Sequence, residues 1–259
     1  MPKFFVKEEQ VEDEKIEIIG QDVKHIKNVL RKAIGDEITI CNATNGKDYL
    51  CEISEFEDSK INCIIKEELE TSVETNIKVT IMQGLPKADK MELIIQKSVE
   101  LGVYEIIPVE MKRCIVKLNG KDANKKIERW QKISEVAAKQ CGRNIIPQIK
   151  SIINVKNVCN LLGEYDIVLI AYENEKETTI KQELQRIKEQ YKDKEIKIAI
   201  MVGPEGGIAE EEIELLTRKW CKNNIIREEN FKNRNSSIKC FKCNNVWTRK
   251  LGGIYENYI

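Results

Sequence analysis

The chain has 259 residues, 33% of them charged, and its 43 Lys and Arg balance its 43 Asp and Glu to a net charge of zero. The length suffices for a large core and points to two domains, while the charge balance excludes a uniformly basic nucleic-acid carrier and leaves only local basic patches for such contacts. No apolar run approaches the roughly 20 residues that cross a bilayer, and Met1-Pro2-Lys3-Phe4-Phe5-Val6 followed by Lys7-Glu8-Glu9 lacks the apolar core of a signal peptide, so a cytoplasmic location without membrane partners is expected.

In chain order, the first 73 residues read as short alternating strands: Phe4 to Val6, Lys15 to Ile19, Glu37 to Cys41, Tyr49 to Ile53 and Lys60 to Lys66. Turns such as Gly35-Asp36 and Asn45-Gly46-Lys47 separate them, the spacing of a small β-barrel or sandwich. Within this region His25, the only histidine, opens HIKNVLRKAIGDEITI and reads as a capping or partly packed residue at a short helix start. Lys24, Lys27, Arg31 and Lys32 make the same segment basic, either as a solvated face or as a phosphate-contacting edge.

After Glu74-Thr75 strands and helices alternate. Lys78 to Met82, Tyr104 to Val109 and Tyr165 to Ala171 read as strands; Asp89 to Leu101, Lys125 to Gln140 and the charged run Thr178 to Tyr191 read as helices. Alternation of this kind predicts a mostly parallel sheet with helices on its faces. In QGLPKADKMELIIQKSVELGV, residues Met91, Ile95, Val99 and Gly102 share one helical face, and Lys87 and Lys90 flank the helix start, where the positive helix end favours an anion. Arg143 follows the helix-ending Gly142 and is either a cap partner or an exposed guanidinium suited to RNA. The sharpest local signal is Ile196 to Gly207, IKIAIMVGPEGG, a strand that runs into a Gly-Pro-Glu-Gly-Gly turn before an acidic helix start. Ligands of open α/β sheets bind at such carboxyl strand ends, and glycines let backbone N–H groups approach them.

Nine cysteines, odd in number and mostly without paired spacing, fit reduced thiols. Cys240-Phe241-Lys242-Cys243 has the spacing of a zinc knuckle but no second pair, so no metal is expected.

Taken together, MPKFFV, HIKNVLR, QGLPKADKMELIIQKSVELGV, ERWQKI with AAKQCGRNIIP, IAYENE and VGPEGG resemble the RsmE family, continuously from Met1 to about Thr217. The resemblance implies an α+β chain. Residues 1–73 would form a PUA-like RNA-binding β-barrel, and 74–219 an α/β SPOUT methyltransferase domain with a deep trefoil knot. It also implies a homodimer that uses S-adenosyl-L-methionine to methylate N3 of a uridine in 16S rRNA of the assembled small ribosomal subunit. The cofactor would lie against Ile170, Ala171, Tyr172 and Glu173 and against Val202, Gly203, Pro204, Glu205, Gly206 and Gly207. Arg31, Lys87, Lys90, Arg113 and Arg143, at element ends within the resembling segments, would face RNA; no catalytic residue is assigned.

The resemblance stops after Lys219. The family continues with a segment like LGxRILRxETA that closes the knot, whereas residues 220–259 begin WCKNNIIREENFKNRNSSIKCFKCNNVW, without helical periodicity. Back-translated with AT-rich codons and shifted by one nucleotide, Trp220 to Trp247 yields GAKIILLEKKILKTETAALNALNVIMY, which contains the missing motif. We therefore read 220–259 as an aberrant tail produced by a frameshift upstream of Trp220, which leaves the knot incomplete or disturbed.

Overall fold

The computed structural model describes residues 3–69, 76–171 and 195–219. The expected helix Thr178 to Tyr191, the tail from Trp220 and hence the knot lie outside the described residues. The chain divides into two compact units, one of Met1–Glu74 with Ala138–Ile146, the other of Thr75–Ala137 with Pro147–Ile259.

The first unit is a six-stranded sheet in the order β1-β4-β5-β6-β3-β2, made of β1 (Lys3–Val6), β2 (Val11–Glu12), β3 (Lys15–Ile19), β4 (Glu37–Asn42), β5 (Asp48–Phe56) and β6 (Lys60–Leu69). Its β1–β4 pair is parallel and the others antiparallel. Register shifts at Leu50/Cys51 and Ile53/Glu55 put bulges into the longest pairing, where an extra residue bends a strand and tightens its twist. The sheet is open, since its edge strands β1 and β2 do not pair with one another. Alternation along β3 buries Ile16 and Ile18 while Lys15, Glu17 and Ile19 face solvent. These two isoleucines meet Ile38, Ile40, Ile53 and Ile61 in the core. Helix α1 (Gln21–Lys24) widens into a π turn at His25–Val29. His25 itself is exposed, its ring 6.2 Å from that of Phe4.

By its sequence, the segment Ala138–Ile146 belongs to the later strand–helix region, yet it packs as part of this first unit through polar contacts. The Lys139 ammonium donates to the Asp22 carboxylate at 2.8 Å. The Lys3 ammonium donates to Asp48 at 2.7 Å and to the Asn144 side-chain oxygen at 2.9 Å, and the Asn144 amide donates to the Gly46 carbonyl at 2.9 Å.

The second unit is a parallel sheet in the order β10-β8-β7-β12-β11, with β9 also beside β8. Its strands are β7 (Ile77–Gly84), β8 (Glu105–Glu110), β9 (Gln148–Ile149), β10 (Ile153–Asn154), β11 (Ile167–Ala171) and β12 (Ile196–Val202). Strand β12 pairs on both sides and is buried throughout except at Lys197, the near-continuous apolar run expected of a central parallel strand. Helices α2 (Lys90–Glu100), α3 (Gly120–Cys141), α4 (Val155–Leu161) and α5 (Glu210–Lys219) connect or follow the strands. The stripe Met91, Ile95 and Val99 on α2 is fully buried, as its period requires. The two-residue strands β9 and β10 and the helix α4 are too short to carry a periodic signal in the sequence.

Candidate functional site

The strand order places three loops together at the carboxyl end of the second sheet. Val202 at the end of β12 lies opposite Gln83 on one side and Ala171 on the other, and Gly84 lies opposite Val109 of β8. The chain leaves this end at 85–89 after β7, at 111–119 after β8 and at 203–209 after β12, the crevice position in which open α/β sheets bind ligands.

Backbone crowding sets the shape of the 203–207 turn. The Gly207 N–H donates to the Pro204 carbonyl at 2.9 Å, and Gly207 has φ +72°, a left-handed conformation that favours glycine. A Cβ on Gly203 would lie 2.9 Å from the Gly207 carbonyl carbon and 3.0 Å from the Ile208 nitrogen. A Cβ on Gly84 would lie 2.7 Å from the Pro204 nitrogen and Cδ, so β7 and the turn meet only because Gly84 lacks a side chain. The buried Gln83 side-chain amide donates to the Gly84 carbonyl at 2.9 Å and to the Gly203 carbonyl at 3.4 Å. After the turn, the Ala209 N–H donates to the Glu212 carboxylate at 3.1 Å, and Glu210, Glu211 and Glu212 sit in the first turn of α5, where the helix dipole favours acids.

Side chains tie the turn to both neighbouring loops. Glu205 accepts from the Lys90 ammonium at 2.5 Å and from the Lys87 backbone N–H at 3.1 and 3.2 Å. Partial burial pushes the Glu205 carboxyl up, but the Lys90 hydrogen bond and the N–H groups of Glu205 and Lys87 outweigh it, so its pKa lies below the ordinary glutamate value. From the third loop, the Arg113 guanidinium donates to the Gly206 carbonyl at 2.9 Å and the Lys112 N–H donates to Glu212 at 2.8 Å, while the Lys112 ammonium pairs with Glu211.

Of the residues expected to hold a cofactor, Ile170, Ala171 and Val202 are adjacent strand ends, and Gly203, Pro204, Glu205, Gly206 and Gly207 form the turn beside them. Tyr172 and Glu173 lie outside the described residues. Of the basic residues, Lys87, Lys90 and Arg113 gather at this same end of the second unit. Lys90 is already ion-paired, so the loop's anion-holding capacity is partly used by Glu205. Arg31, exposed and at φ +52°, and Arg143 belong to the first unit. Arg143 is only 6% exposed, which favours the cap-partner alternative over an exposed guanidinium. Sequence reasoning passes over Gln83, Gly84 and Lys112; Gly84 stands out as a turn glycine, but the partner that demands it, Pro204, is 120 positions away. Among the described residues no group of three His, Cys, Asp or Glu side chains is placed to hold a metal ion, and the six cysteines there are free thiols.

Two family models match the chain, an RNA methyltransferase PUA domain over residues 18–66 and an RNA methyltransferase domain over residues 73–227. Ribosomal RNA small subunit methyltransferase E of Bacillus subtilis (strain 168) is 36% identical over 222 residues, 85% of this chain and 86% of that protein. The crystal structure of a ribosomal RNA small subunit methyltransferase E from Neisseria gonorrhoeae bound to S-adenosyl methionine superposes with a TM-score of 0.75 at 27% identity, covering 93% of this chain and 95% of that one. A solved structure described only as a hypothetical protein gives a TM-score of 0.83 at 31% identity, over 96% of this chain and 99% of that one.

Proposed function

Because the chain belongs to the RNA methyltransferase family that includes the ribosomal RNA small subunit methyltransferases E, we propose that it methylates N3 of one uridine in 16S rRNA of the assembled small subunit, with S-adenosyl-L-methionine as donor. The glycine turn at the end of β12 supports this reading, because Gly203 and Gly84 have no room for a side chain and the turn follows directly on the apolar end of β12, with Gly206 exposed. Such a surface suits a flat, partly apolar nucleoside with polar edges. When bound, the cofactor supplies an electrophilic methyl group. Ile170, Ala171 and Val202 would then bound its apolar side, and the backbone of 203–207 its polar edge. A uracil N3 must leave its base pair and lose a proton before it can accept a methyl group, so positioning supplies most of the catalysis. Arg31, Lys87 and Arg113, exposed cations at element ends, would contact RNA phosphates. We further infer a homodimer in the cytoplasm, to be checked by light scattering and fractionation.

One sequence feature favours a second reading: the methyltransferase match ends at residue 227, and the tail from Trp220 reads as shifted out of frame. In that reading the chain binds small subunits but methylates poorly. The experiment is transfer of labelled methyl from S-adenosylmethionine to undermethylated small subunits, by the chain as written and by a version with the frame restored. Label at a single uridine N3 from the restored chain is expected. Absence of label, or label on another base, would overturn the proposal, and the ratio between the two chains decides between the readings.

A further inference from the structure

We propose that Glu205 is a positioning residue: its carboxylate fastens the loop after β7 to the glycine turn after β12 and so holds the backbone of Gly206 and Gly207 toward the bound cofactor. This rests on the S-adenosylmethionine reading above. At the strand end the two segments are kept together by steric fit, Gly84 against Pro204. Further out, residues 205 and 206 are exposed and lie beyond the end of β12, outside the ladder of the sheet. Two donors, the Lys87 N–H of the loop and the ammonium of Lys90 at the start of α2, close on the Glu205 carboxylate there. Between those donors sits Ala88 at φ +51°, a left-handed conformation that side-chain-bearing residues resist. The loop therefore needs an outside anchor to stay in this shape, and Glu205 is the group that supplies it.

The residue type follows from the geometry. The Lys87 N–H is 3.1 and 3.2 Å from the two carboxylate oxygens, one of which also accepts from Lys90. Glutamine keeps one acceptor but turns an N–H₂ group toward the donors, and aspartate falls a methylene short. The next peptide is held independently by Arg113 on the Gly206 carbonyl, so the turn is braced at two consecutive residues from two loops. A carboxylate engaged by these donors is a poor proton acceptor, which separates Glu205 from the base that the reaction requires.

The test is hydrogen exchange on the full chain, comparing Glu205→Gln, Lys90→Met, their combination and Lys90→Arg. Glu205→Gln is expected to speed exchange at 85–90 and at 203–209 together by about tenfold, the scale of one charge-assisted hydrogen bond. Lys90→Arg should keep the protection, and the double variant should add little to either single one. Titration with S-adenosylmethionine, on this chain and on its frame-restored form, should show Glu205→Gln weakening affinity by a similar factor with turnover at saturating cofactor retained. Unchanged exchange in both loops would overturn the proposal. So would lost turnover at saturation with the loops undisturbed, since Glu205 would then touch the reactants. If the unaltered chains fail to bind the cofactor while the exchange coupling is present, the brace stands and the cofactor reading falls.

Discussion

Replacing Gly203 by Ala should damage the site in proportion to a misfit that can be worked out from the backbone. The new methyl carbon would lie 2.9 Å from the Gly207 carbonyl carbon, 2.9 Å from Ile208 Cγ1 and 3.0 Å from the Ile208 nitrogen. Carbon atoms rest at about 3.5 to 4 Å, so the turn must open by about 0.5 Å or more. Two of the three neighbours are backbone of the same turn, so a rotamer change cannot relieve them. Opening the turn stretches the 2.9 Å hydrogen bond from the Gly207 N–H to the Pro204 carbonyl and shifts Pro204 against Gly84. Overpacking of this kind costs about 1 to 3 kcal/mol. The control is Gly163→Ala, where a Cβ meets nothing within 4 Å and φ is not positive; that change should be neutral or stabilise by up to about 1 kcal/mol. Native-state hydrogen exchange at the β12 amides reads the opening free energy, and calorimetry with S-adenosylmethionine should show affinity down by about tenfold, the equivalent of about 1.4 kcal/mol. If Gly203→Ala matched Gly163→Ala in both measurements, the steric argument for the turn would be refuted.

The Glu205 brace should depend on pH with a definite sign. Its folded pKa is depressed, so the brace is complete above the ordinary glutamate value of 4.5 and weakens as pH falls through the lowered value. Loop protection should drop in that window and Glu205→Gln should flatten the drop; a pH-independent difference between the two proteins would count against it. In the first unit, Lys3→Met removes the ammonium that donates to Asp48, a carboxylate 2% exposed at its side chain, and losing such a charge-assisted hydrogen bond costs about 1.5 to 3 kcal/mol. Scanning calorimetry should show the first unit melting earlier, with partial recovery in Lys3→Met/Asp48→Leu; a cycle in which the two changes simply add would reject the coupling. Replacing Arg31, Lys87 and Arg113 by Ala should weaken small-subunit binding and lower its salt slope by about one for each phosphate no longer neutralised. Arg143→Ala, at a buried position, should instead lower stability, and a pure affinity loss there would contradict its placement.

The local order of this protein is legible in its residues because it follows from short-range physics. Alternation in Lys15–Ile19 sets a half-buried strand, the Met91, Ile95, Val99 stripe sets a helix face, and the apolar run Ile196–Val202 ending in glycines sets a central strand and its turn. What only the tertiary structure decided are the pairings between distant residues. Strand β12 inserts between β7 and β11, and only that insertion brings Gly84 against Pro204 and Lys90 onto Glu205. The same holds for Arg143 and Asn144: by periodicity they end a helix of the second region, yet Asn144 bonds to Lys3 and Gly46, so this stretch packs with the first unit. A residue's own pattern says which face it buries. The partner on that face is chosen by the strand order of the whole sheet, and no window of neighbouring residues contains it.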